Sequence, residues 1–406
     1  MKLLLIDPNV SLSSPSMKGI VRSLPALKAQ GWEIEAWCWH CDDGLPIDRI
    51  DKLPTFGKLH TLDGYAFALW ARLRLWWRFT MRRRPRPEVV YSVAWYAPQC
   101  DVAHVHFSPW DWERRQRDLG LASLRDVFER VTNLLSLHWA NRFLRKTTAR
   151  LVLIVSDAVA NDVRAVRPDL HVRVLPNCYD PQRFHAGVRQ QHRASMRQRL
   201  GFSQEDTVFV FVSAGHYRRK GFFLAVEAVA EPRARSAAAG ARLLVVGGTE
   251  RRLAALQAQL DTRCPDWRAF VTFTGMVPDV ERYFAASDAF LFPSYSEAFA
   301  LVEVEAAACG LPLFLTRHHG SEMILQDGVN GRYVEFEAPR IADVLEEFVC
   351  GQWTPQPGIH LHSALDAAAY GARFCEEIAR VATMPVRSRT QKCPVPEPGI
   401  AHGPPV

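Results

Sequence analysis

Residues 289–334 read AFLFPSYSEAFALVEVEAAACGLPLFLTRHHGSEMILQDGVNGRYV. The apolar run Ala289–Phe292 is typical of a buried strand, and a Pro-Ser turn follows it. Glu297 lies in the next loop, and Glu305 lies two turns into a helix that we expect to begin near Phe299. Amide groups at a helix start can bind an anion, and a carboxylate can accept hydrogen bonds from two neighbouring hydroxyl groups. The segment therefore predicts a strand–loop–helix unit that binds a ligand with two polyol parts joined by a charged linker.

The alternation of strand and helix continues on both sides of this segment. Because such alternation produces parallel sheets covered by helices, we predict an α/β protein with two Rossmann-like domains whose parallel sheets face each other across a cleft. Ligands of these sheets bind at the carboxyl ends of the strands. The predicted strands are residues 2–6, 32–39, 88–92, 102–107, 151–156 and 172–175 in the first domain, and 207–213, 241–246, 270–273 and 289–292 in the second.

Composition shifts predict the domain boundaries. Residues 177–202 are polar and rich in Arg and Gln, which is typical of a linker, and the chain after about Met384 is rich in Pro and Gly, which is typical of disorder. The predicted divisions are a first domain over 1–180, a linker over 181–205, a second domain over 206–362, a helix over 363–383 that could return to the first domain, and a disordered tail over 384–406.

The composition indicates a globular protein of ordinary type. The 406 residues are 48% hydrophobic and 23% charged, and no run of 18 uncharged apolar residues or basic leader segment is present. Nine scattered cysteines favour a reduced, cytoplasmic setting, and the Cys38–Cys41 pair lacks the second pair that a zinc site needs. The net charge of +7 favours anionic partners such as phosphorylated ligands or a lipid surface.

A second cluster of candidate residues follows the strand 207–213. The segment 213–221 reads SAGHYRRKG, with three consecutive cations, Arg218, Arg219 and Lys220, before a glycine. Cations at the carboxyl end of a strand can bind a diphosphate. A solvated turn is the alternative interpretation of such a cluster taken alone.

The region around the two glutamates resembles the retaining family 4 glycosyltransferases of the GT-B fold. Their signature is a Pro-Ser pair, then Glu-x7-Glu, then Ala-x-Ala-Cys-Gly-x-Pro. Glu297 and Glu305 fall on the two glutamate positions, and the later residues continue the register. The family usually has Gly-Phe-Gly after the first glutamate, whereas this chain has Ala298-Phe299-Ala300, and two extra methyl groups could narrow the sugar pocket. The resemblance covers about residues 150–330 well, and the first 150 residues only as a domain type.

The resemblance implies roles for individual residues. Glu305 would hold the ribose hydroxyl groups of a nucleotide-sugar, and Glu297 would hold the donor sugar with the help of nearby backbone amides. Arg219 and Lys220 would stabilise the leaving diphosphate, and their segment is especially similar to that of lipopolysaccharide-core glucosyltransferases. The further donor-binding candidates are Ala298, Phe299, Ala300, Leu301, Val277, Gly247, Gly215 and Gly320.

The first domain would then carry the acceptor site and a histidine near the reacting carbon. His104 and His106 share one face of the strand 102–107, and His106 lies at its carboxyl end. We take His106 as the catalytic candidate, although a structural histidine is an equally good interpretation, and the family's usual histidine would fall nearer Val93. Lys18 and Gly19 are weak candidates for the phosphate loop that many relatives carry after the first strand.

The stretch 65–86 interleaves aromatic residues with arginines, and no acid lies among the seven arginines between 72 and 86. Such a stretch is typical of binding to an anionic membrane or a lipid-linked acceptor. The alternative is a helix that packs its tryptophans into the first domain while its arginines stay solvated. Nucleic acid is disfavoured because no binding module accompanies the stretch. The candidates here are Trp70, Trp76, Trp77, Arg82, Arg83 and Arg84.

Together these observations predict a retaining glycosyltransferase that moves a sugar from a UDP- or GDP-sugar to a glycan or lipid-linked acceptor in cell-envelope polysaccharide or lipopolysaccharide synthesis. It would be cytoplasmic, or peripheral on the inner face of the membrane. No Asp-x-Asp motif is present to hold a divalent ion, so we expect no metal and no cofactor. The alternatives are a non-catalytic protein of this fold that binds a nucleotide-sugar or serves as a scaffold at the membrane, and an epimerase or phosphorylase with the same cleft.

Overall fold

A computed structural model describes residues 1–52, 60–83, 85–120, 124–234, 240–357 and 365–385. Within them, two parallel sheets carry the fold. The strands of the first half are β1 (Lys2–Ile6), β2 (Asn9–Val10), β3 (Glu33–Cys38), β4 (His40–Cys41), β5 (Arg49–Lys52), β6 (Val89–Val93), β7 (Val102–Val105), β8 (Leu151–Ile154) and β9 (Val172–Val174). Its helices are α1 (Lys18–Ala29), α2 (His60–Trp76), α3 (Pro109–Leu119), α4 (Leu124–Lys146) and α5 (Asp157–Val166), and a π-helical turn over Trp77–Met81 extends α2.

The first sheet has seven strands in the order β5-β3-β1-β6-β7-β8-β9. Its central strands are apolar and buried because helices cover both faces of a parallel sheet. Strand β1 pairs with β3 on one side and with β6 on the other. The strand order therefore reverses at β1. In such sheets the crevice beside the carboxyl ends at this point is the usual ligand site.

The second sheet repeats this design with six parallel strands in the order β12-β11-β10-β13-β14-β15. Its strands are β10 (Thr207–Val212), β11 (Ala241–Val246), β12 (Val271–Phe273), β13 (Ala289–Phe292), β14 (Leu313–Leu315) and β15 (Gly331–Tyr333). Its helices, with those that flank it in the chain, are α6 (Gly187–Leu200), α7 (Phe222–Ala234), α8 (Glu250–Arg263), α9 (Val280–Ala286), α10 (Leu301–Ala308), α11 (Ala338–Val349) and α12 (Ala367–Thr383).

Helix α10 begins two residues later than the sequence suggested, at Leu301 rather than near Phe299. Ala300 has an extended backbone and ends the loop. Glu305 therefore lies about one turn into the helix rather than two, and the stretch from Glu297 to Ala300 is loop, with its backbone groups available for other partners.

The polar segment predicted as a linker is mostly the helix α6, which packs along α9 of the second domain. Three arginines at i, i+4 and i+8, Arg189, Arg193 and Arg197, reach Asp288 or the Ser287 carbonyl, which lie between the carboxyl end of α9 and the start of β13. Arg197 is 1% exposed. The arginines that made this segment appear solvated are what fix it to the second domain.

Helix α12 crosses back and packs on α1 and β6 of the first domain. Tyr370 and Phe374 stack in parallel within the core of that domain. Beside this crossing, the Tyr179 amide donates to the Leu365 carbonyl, so the two chain segments that connect the domains run next to each other. The predicted tail lies outside the described residues from 386 onward.

No helix in the described part of the chain combines the length and apolarity that a bilayer crossing requires.

Candidate functional site

Lys220 and Glu297 form an ion pair at the carboxyl end of the second sheet. The Lys220 Nζ lies 2.8 Å from Glu297 Oε1, and the Ser294 hydroxyl donates to the same oxygen over 3.1 Å. The two charged side chains are 16% and 10% exposed. Neutralisation of this nearly buried carboxylate by a lysine of a separate loop fixes both side chains at the edge of the cleft.

The charge of Glu297 is stabilised by its surroundings. Burial alone would raise its pKa, but the Lys220 and Arg219 charges and the hydrogen bond from Lys220 outweigh burial and lower the pKa to about 2. Glu297 is therefore ionised throughout the physiological pH range. An ionised carboxylate accepts hydrogen bonds and cannot donate one, which suits a group that positions sugar hydroxyls.

Arg219 has no carboxylate within 4 Å among the described residues. Its guanidinium lies over the Phe107 ring of the first domain, 5.6 Å from the centroid, and its buried Nε has no hydrogen-bond partner in the described part of the chain. A buried donor without a partner is costly, and an anionic ligand would satisfy it. Arg219 is thus the cation of this loop that is open to a phosphate.

Arg218 serves a different purpose. It forms an ion pair with Asp126 of α4 and donates to the Gly120 carbonyl over 3.3 Å, so it bridges to the first domain. His216 has a left-handed backbone, with φ of 56°, and burial together with the neighbouring cations lowers its pKa to about 4. The loop therefore places a neutral imidazole, an interdomain arginine and two site cations within five residues.

Glu305 faces the first domain. The Nζ of Lys18, the first residue of α1, lies 2.8 Å from Glu305 Oε1, and the side chains are 15% and 8% exposed. Lys18 also lies over the Phe184 ring, 5.5 Å from its centroid. This ion pair was not predicted, although both residues were candidates, because sequence spacing gives no information on a contact between positions 287 residues apart.

The stretch Ala298–Ala300 is buried and held by the first domain. The Ser156 hydroxyl donates to the Ala298 carbonyl over 2.9 Å, and the Asn177 amide donates to the Phe299 carbonyl over 3.5 Å. Leu301 then starts α10. Both extra methyl groups therefore lie in a packed wall of the site, with Ala298 and Ala300 6% and 4% exposed.

Gly320 closes this wall from the other side. Its φ of 84° is left-handed, and a Cβ added there would lie 3.1 Å from the Ala298 carbonyl oxygen and 2.9 Å from the Phe299 ring. Only glycine combines this conformation with this approach. The loop after β14 and the stretch after Glu297 are therefore in contact.

The other glycine candidates line the same end of the sheet. Gly247, with φ of 100°, follows β11, and a Cβ there would lie 2.6 Å from the Ser213 carbonyl oxygen. Its amide donates to Gly275, in the loop that carries the half-buried Val277. At Gly215 a Cβ would meet only the end of the Arg252 side chain, so space alone does not require glycine there.

His106 lies near the cleft, beside the buried stretch Ala298–Ala300. Its Nδ1 is 3.1 Å from Asn177 Oδ1, and Asn177 contacts the Phe299 carbonyl, so one amide side chain connects the histidine to the second domain. Burial lowers the pKa of His106 to about 4, and its buried Nε2 has no partner among the described residues. His104, by contrast, contacts the Tyr91 hydroxyl deep in the domain. The strand β7 ends at Val105, so His106 belongs to the loop.

A cavity of about 210 Å³ opens between the domains beside Arg219. Both domains contribute to it, and the α4 residues in it had no motif that could identify them. Its lining includes Phe107, Trp112, Asn133, Ser136, His216 and Arg219.

The basic aromatic stretch lies elsewhere. Trp70 is half-buried and packs edge-on against Trp37, as the packing alternative predicted for it. Trp76 lines a cavity with Arg86 and Thr148, which precede strands, so it lies at the end of the sheet away from the cleft. This position does not support contact with an acceptor held in the cleft.

The exposed part of this stretch forms one apolar face that ends in arginines. Trp76 and Trp77 are 53% and 47% exposed, and Arg82 stacks on Trp77 with 3.9 Å to the centroid. Arg83 is also exposed, and Arg84 lies outside the described residues. The further exposed apolar residues of this face are Leu69, Leu73 and Met81.

Comparison with known proteins confirms the resemblance. Residues 206–349 match the model of the family Glycosyl transferases group 1. A D-inositol 3-phosphate glycosyltransferase of Acidothermus cellulolyticus is 32% identical over 228 residues, which are 52% of this chain and 46% of that protein. The enzyme of the same name from Xylanimonas cellulosilytica is 28% identical over 76% of this chain and 75% of that protein. The match covers 46% of the length of the Acidothermus enzyme, and 41% and 46% of its namesakes from Arthrobacter and Nocardioides.

Solved structures confirm the predicted GT-B fold. WaaG, a glycosyltransferase involved in lipopolysaccharide biosynthesis, superposes with a TM-score of 0.71 at 19% identity, over 93% of this chain and 99% of that chain. HepE of Anabaena, solved with UDP and glucose, superposes with a TM-score of 0.66 at 18% identity, over 93% of this chain and 99% of that chain. At these identities the likeness shows the fold.

Proposed function

We propose that this protein is a retaining glycosyltransferase that moves a sugar from a nucleotide-diphosphate sugar to a glycan or lipid-linked acceptor in cell-envelope polysaccharide or lipopolysaccharide synthesis. The observation that carries the proposal is the arrangement of Arg219 and Lys220 around Glu297. An open guanidinium and a paired ammonium lie beside an ionised carboxylate at the carboxyl end of a parallel sheet. Such a site binds a diphosphate next to a polyol.

In this mechanism, Arg219 and Lys220 stabilise the negative charge that develops on the leaving diphosphate. Electrostatic stabilisation of this kind is generally the largest contribution to the rate. Glu297 accepts hydrogen bonds from the sugar hydroxyls, and Glu305 exchanges Lys18 for the ribose hydroxyls. The wall formed by Ala298, Ala300 and Gly320 limits the size of the sugar.

The proposed stereochemistry rests on the role assigned to Glu297. Glu297 is held by Lys220, and we assign it to the sugar hydroxyls rather than to a covalent intermediate. We therefore propose attack from the same face, with the departing phosphate accepting the proton of the acceptor hydroxyl, rather than a double displacement. His106 contacts the donor sugar from the first domain as a neutral group. The chain has no Asp-x-Asp motif, and we propose that the reaction needs no divalent metal.

We assign the acceptor to the interdomain cavity beside Arg219, because an acceptor hydroxyl there lies close to the proposed leaving group. We further propose that the exposed apolar face of α2, with Arg82 and Arg83, holds the protein on an anionic membrane surface. Apolar side chains beside cations suit the boundary between headgroups and acyl chains.

The test is incubation of the pure protein, without added metal, with a panel of UDP-, GDP- and ADP-sugars. Thermal stabilisation reports binding, and slow hydrolysis of the donor reports chemistry. We expect one donor to produce both effects, and Glu305→Ala to abolish both. Glu335→Ala, which removes an exposed carboxylate of the same domain, is the matched control.

Two results would overturn the proposal in different ways. Stabilisation by a nucleotide-sugar without hydrolysis or transfer, even with envelope lipid extract added, would favour the non-catalytic binding protein. Conversion of the donor to another free sugar nucleotide would favour an epimerase. Transfer that stops when EDTA is added would contradict metal independence alone.

A further inference from the structure

Glu303 and His318 form a buried pair beneath the proposed donor site. The His318 Nε2 lies 2.8 Å from Glu303 Oε1, and both side chains are 0% exposed. Glu303 lies in the first turn of α10, and His318 lies in the loop after β14. The pair therefore joins the two elements that form the walls of the site.

Stability alone does not account for this pair. In the described part of the chain, neither carboxylate oxygen of Glu303 makes a hydrogen bond of good geometry and His318 Nε2 makes none either, so the contact between them is an ion pair only. The desolvation cost of a buried ion pair often exceeds its Coulomb gain, so two apolar side chains of similar volume would stabilise the fold as well or better. Sequence analysis did not single out Glu303, although it is one of two glutamates in the otherwise apolar run VEVEAAA, and a carboxylate in such a run was a signal.

The position of His318 is set on several sides. The His318 Nδ1 is 3.4 Å from the His319 carbonyl oxygen. The Ser321 hydroxyl donates to the His318 carbonyl over 2.7 Å. Its ring packs edge-on against Phe292, with 6.5 Å between centroids, and the Lys220 Nζ lies 4.7 Å from the centroid of the same phenyl ring. His318 is thus one ring away from the Lys220–Glu297 pair.

The charges of the two pairs interact. Glu297 lies near His318, and Glu303 is influenced by both Glu297 and Lys220. Burial acts to lower the pKa of His318, but Glu303 and Glu297 outweigh it and raise the pKa. Burial is the main cause that raises the pKa of Glu303. The raised pKa of His318 extends the pair to higher pH, and the pair is lost on the alkaline side when the imidazole gives up its proton and leaves the Glu303 carboxylate buried without a counterion. The raised pKa of Glu303 acts at the acid side, where protonation of the carboxylate removes the pair.

We propose that Glu303 and His318 are positioning residues for the donor site, which hold the loop 318–321 against the stretch after Glu297 and place a proton-dependent positive charge beneath Glu297. This inference rests on the proposed function and adds residues to its site. It predicts that donor binding weakens on the alkaline side as His318 loses its proton, with Gly320 then free to move away from Phe299.

The test compares the wild-type protein with Glu303→Leu/His318→Leu and with Glu303→Gln, using the donor that stabilises the wild type. We expect the double variant to fold with a thermal midpoint close to that of the wild type, to raise the donor KM about tenfold with a smaller change in kcat, and to lose the alkaline rise in KM. Glu303→Gln retains a hydrogen-bond acceptor, so we expect its donor KM at neutral pH to lie between that of the double variant and that of the wild type.

A double variant with the wild-type KM and the wild-type alkaline limb would overturn the inference. Amide hydrogen exchange of the unliganded proteins separates this result from a failure of the proposed function. We expect faster exchange over residues 318–323 in the double variant, whether or not a nucleotide-sugar is the ligand. Unchanged exchange there would overturn the positioning role, whereas faster exchange without any binding of nucleotide-sugars would overturn only the proposed function.

Discussion

Lys18 of the first domain lies 2.8 Å from Glu305 of the second, so the carboxylate that we assign to the ribose is held by a lysine from across the cleft. The contact joins the start of α1 to the first turns of α10. On this assignment, we propose that a ligand that binds Glu305 takes the place of this lysine.

Removal of this lysine separates its two effects. Lys18→Met leaves the nearly buried Glu305 without a counterion, so we expect the thermal midpoint of the unliganded protein to fall by about 3 °C or more. The same change removes the competitor for Glu305, so the rise in midpoint on saturation with nucleotide should exceed that of the wild type. Thermal denaturation with and without nucleotide measures both. The control is Lys28→Met. Lys28 lies on the same helix as Lys18, and its ion pair with Asp48 is more exposed than the Lys18–Glu305 pair. A smaller rise with nucleotide would show that Lys18 itself binds the ligand.

The lowered pKa of Glu297 predicts how stability depends on acid. A carboxyl group whose pKa falls from 4.5 to about 2 on folding contributes stability that is present above pH 4.5 and is lost as pH falls toward 2. The contribution is on the order of 3 kcal/mol. In Lys220→Met, less positive charge opposes the effect of burial on the Glu297 pKa, so the stability lost on acidification should be smaller than in the wild type. Lys220→Arg keeps the positive charge and should lose as much stability as the wild type. Denaturation midpoints between pH 6 and pH 3 measure the difference. Equal acid dependence in Lys220→Met and the wild type would contradict the ion pair.

His106 should act as a neutral residue. Because its pKa is lowered to about 4, its protonation does not limit activity between pH 6 and pH 8. We expect His106→Ala to reduce transfer about tenfold or more, through loss of a hydrogen bond to the sugar, with little change in the pH profile. Initial rates across this range test it, with the exposed His138→Gln as control. If the wild-type rate changes with pH near 6.5 and the His106→Ala rate does not, His106 titrates in the active protein.

Gly320 and Gly328 provide a matched pair of glycines. Both have left-handed backbones, with φ of 84° and 79°, but an added Cβ contacts the Ala298–Phe299 wall only at Gly320 and meets nothing within 4 Å at Gly328. Both alanine variants carry the same backbone strain of about 1 kcal/mol. We therefore expect only Gly320→Ala to weaken donor binding, by about tenfold. Donor titrations of the two variants measure this. Equal affinities would show that the Ala298–Phe299 stretch can move to accommodate the added methyl group without loss of binding.

The exposed face of α2 should bind anionic vesicles. Trp76→Ser/Trp77→Ser and Arg82→Gln/Arg83→Gln should each reduce co-flotation with vesicles that contain phosphatidylglycerol, and the arginine variant should be the more sensitive to salt. Each arginine contributes about 1 kcal/mol near such a surface. Arg251→Gln/Arg340→Gln makes the same charge change on the second domain and should have no effect. Equal binding by all variants would exclude this face.

Periodicity and local motifs were sufficient for most of the fold. Strands β10, β11 and β13 lie within a residue of their predicted positions, because an apolar run between turn residues has few other structures available. The helix α6 was missed because its arginines are bound to a partner that lies far away in the sequence. A buried Arg197 and a solvated arginine look the same before the chain is folded.

The candidate site divides in the same way. Glu297, Arg219 and Lys220 could be named as candidates from the sequence because each follows a strand in a recognisable pattern. The Lys18–Glu305 and Glu303–His318 pairs were not, since each depends on which loops the topology brings together. The role of Asn177 between His106 and Phe299 is another such contact. Tertiary geometry, rather than residue type, selects these partners.

The attachment of α6 to the second domain has a consequence for protein engineering. A chimera that exchanges donor domains with a relative must include α6 with the transplanted half, because Arg197 otherwise loses Asp288 and the Ser203 and Asp206 carbonyl groups. The natural junctions are the two neighbouring crossings near Tyr179 and Leu365. Grafts joined at these two points would keep each core whole and leave α12 with the first domain, so donor and acceptor specificities could be recombined as separate modules.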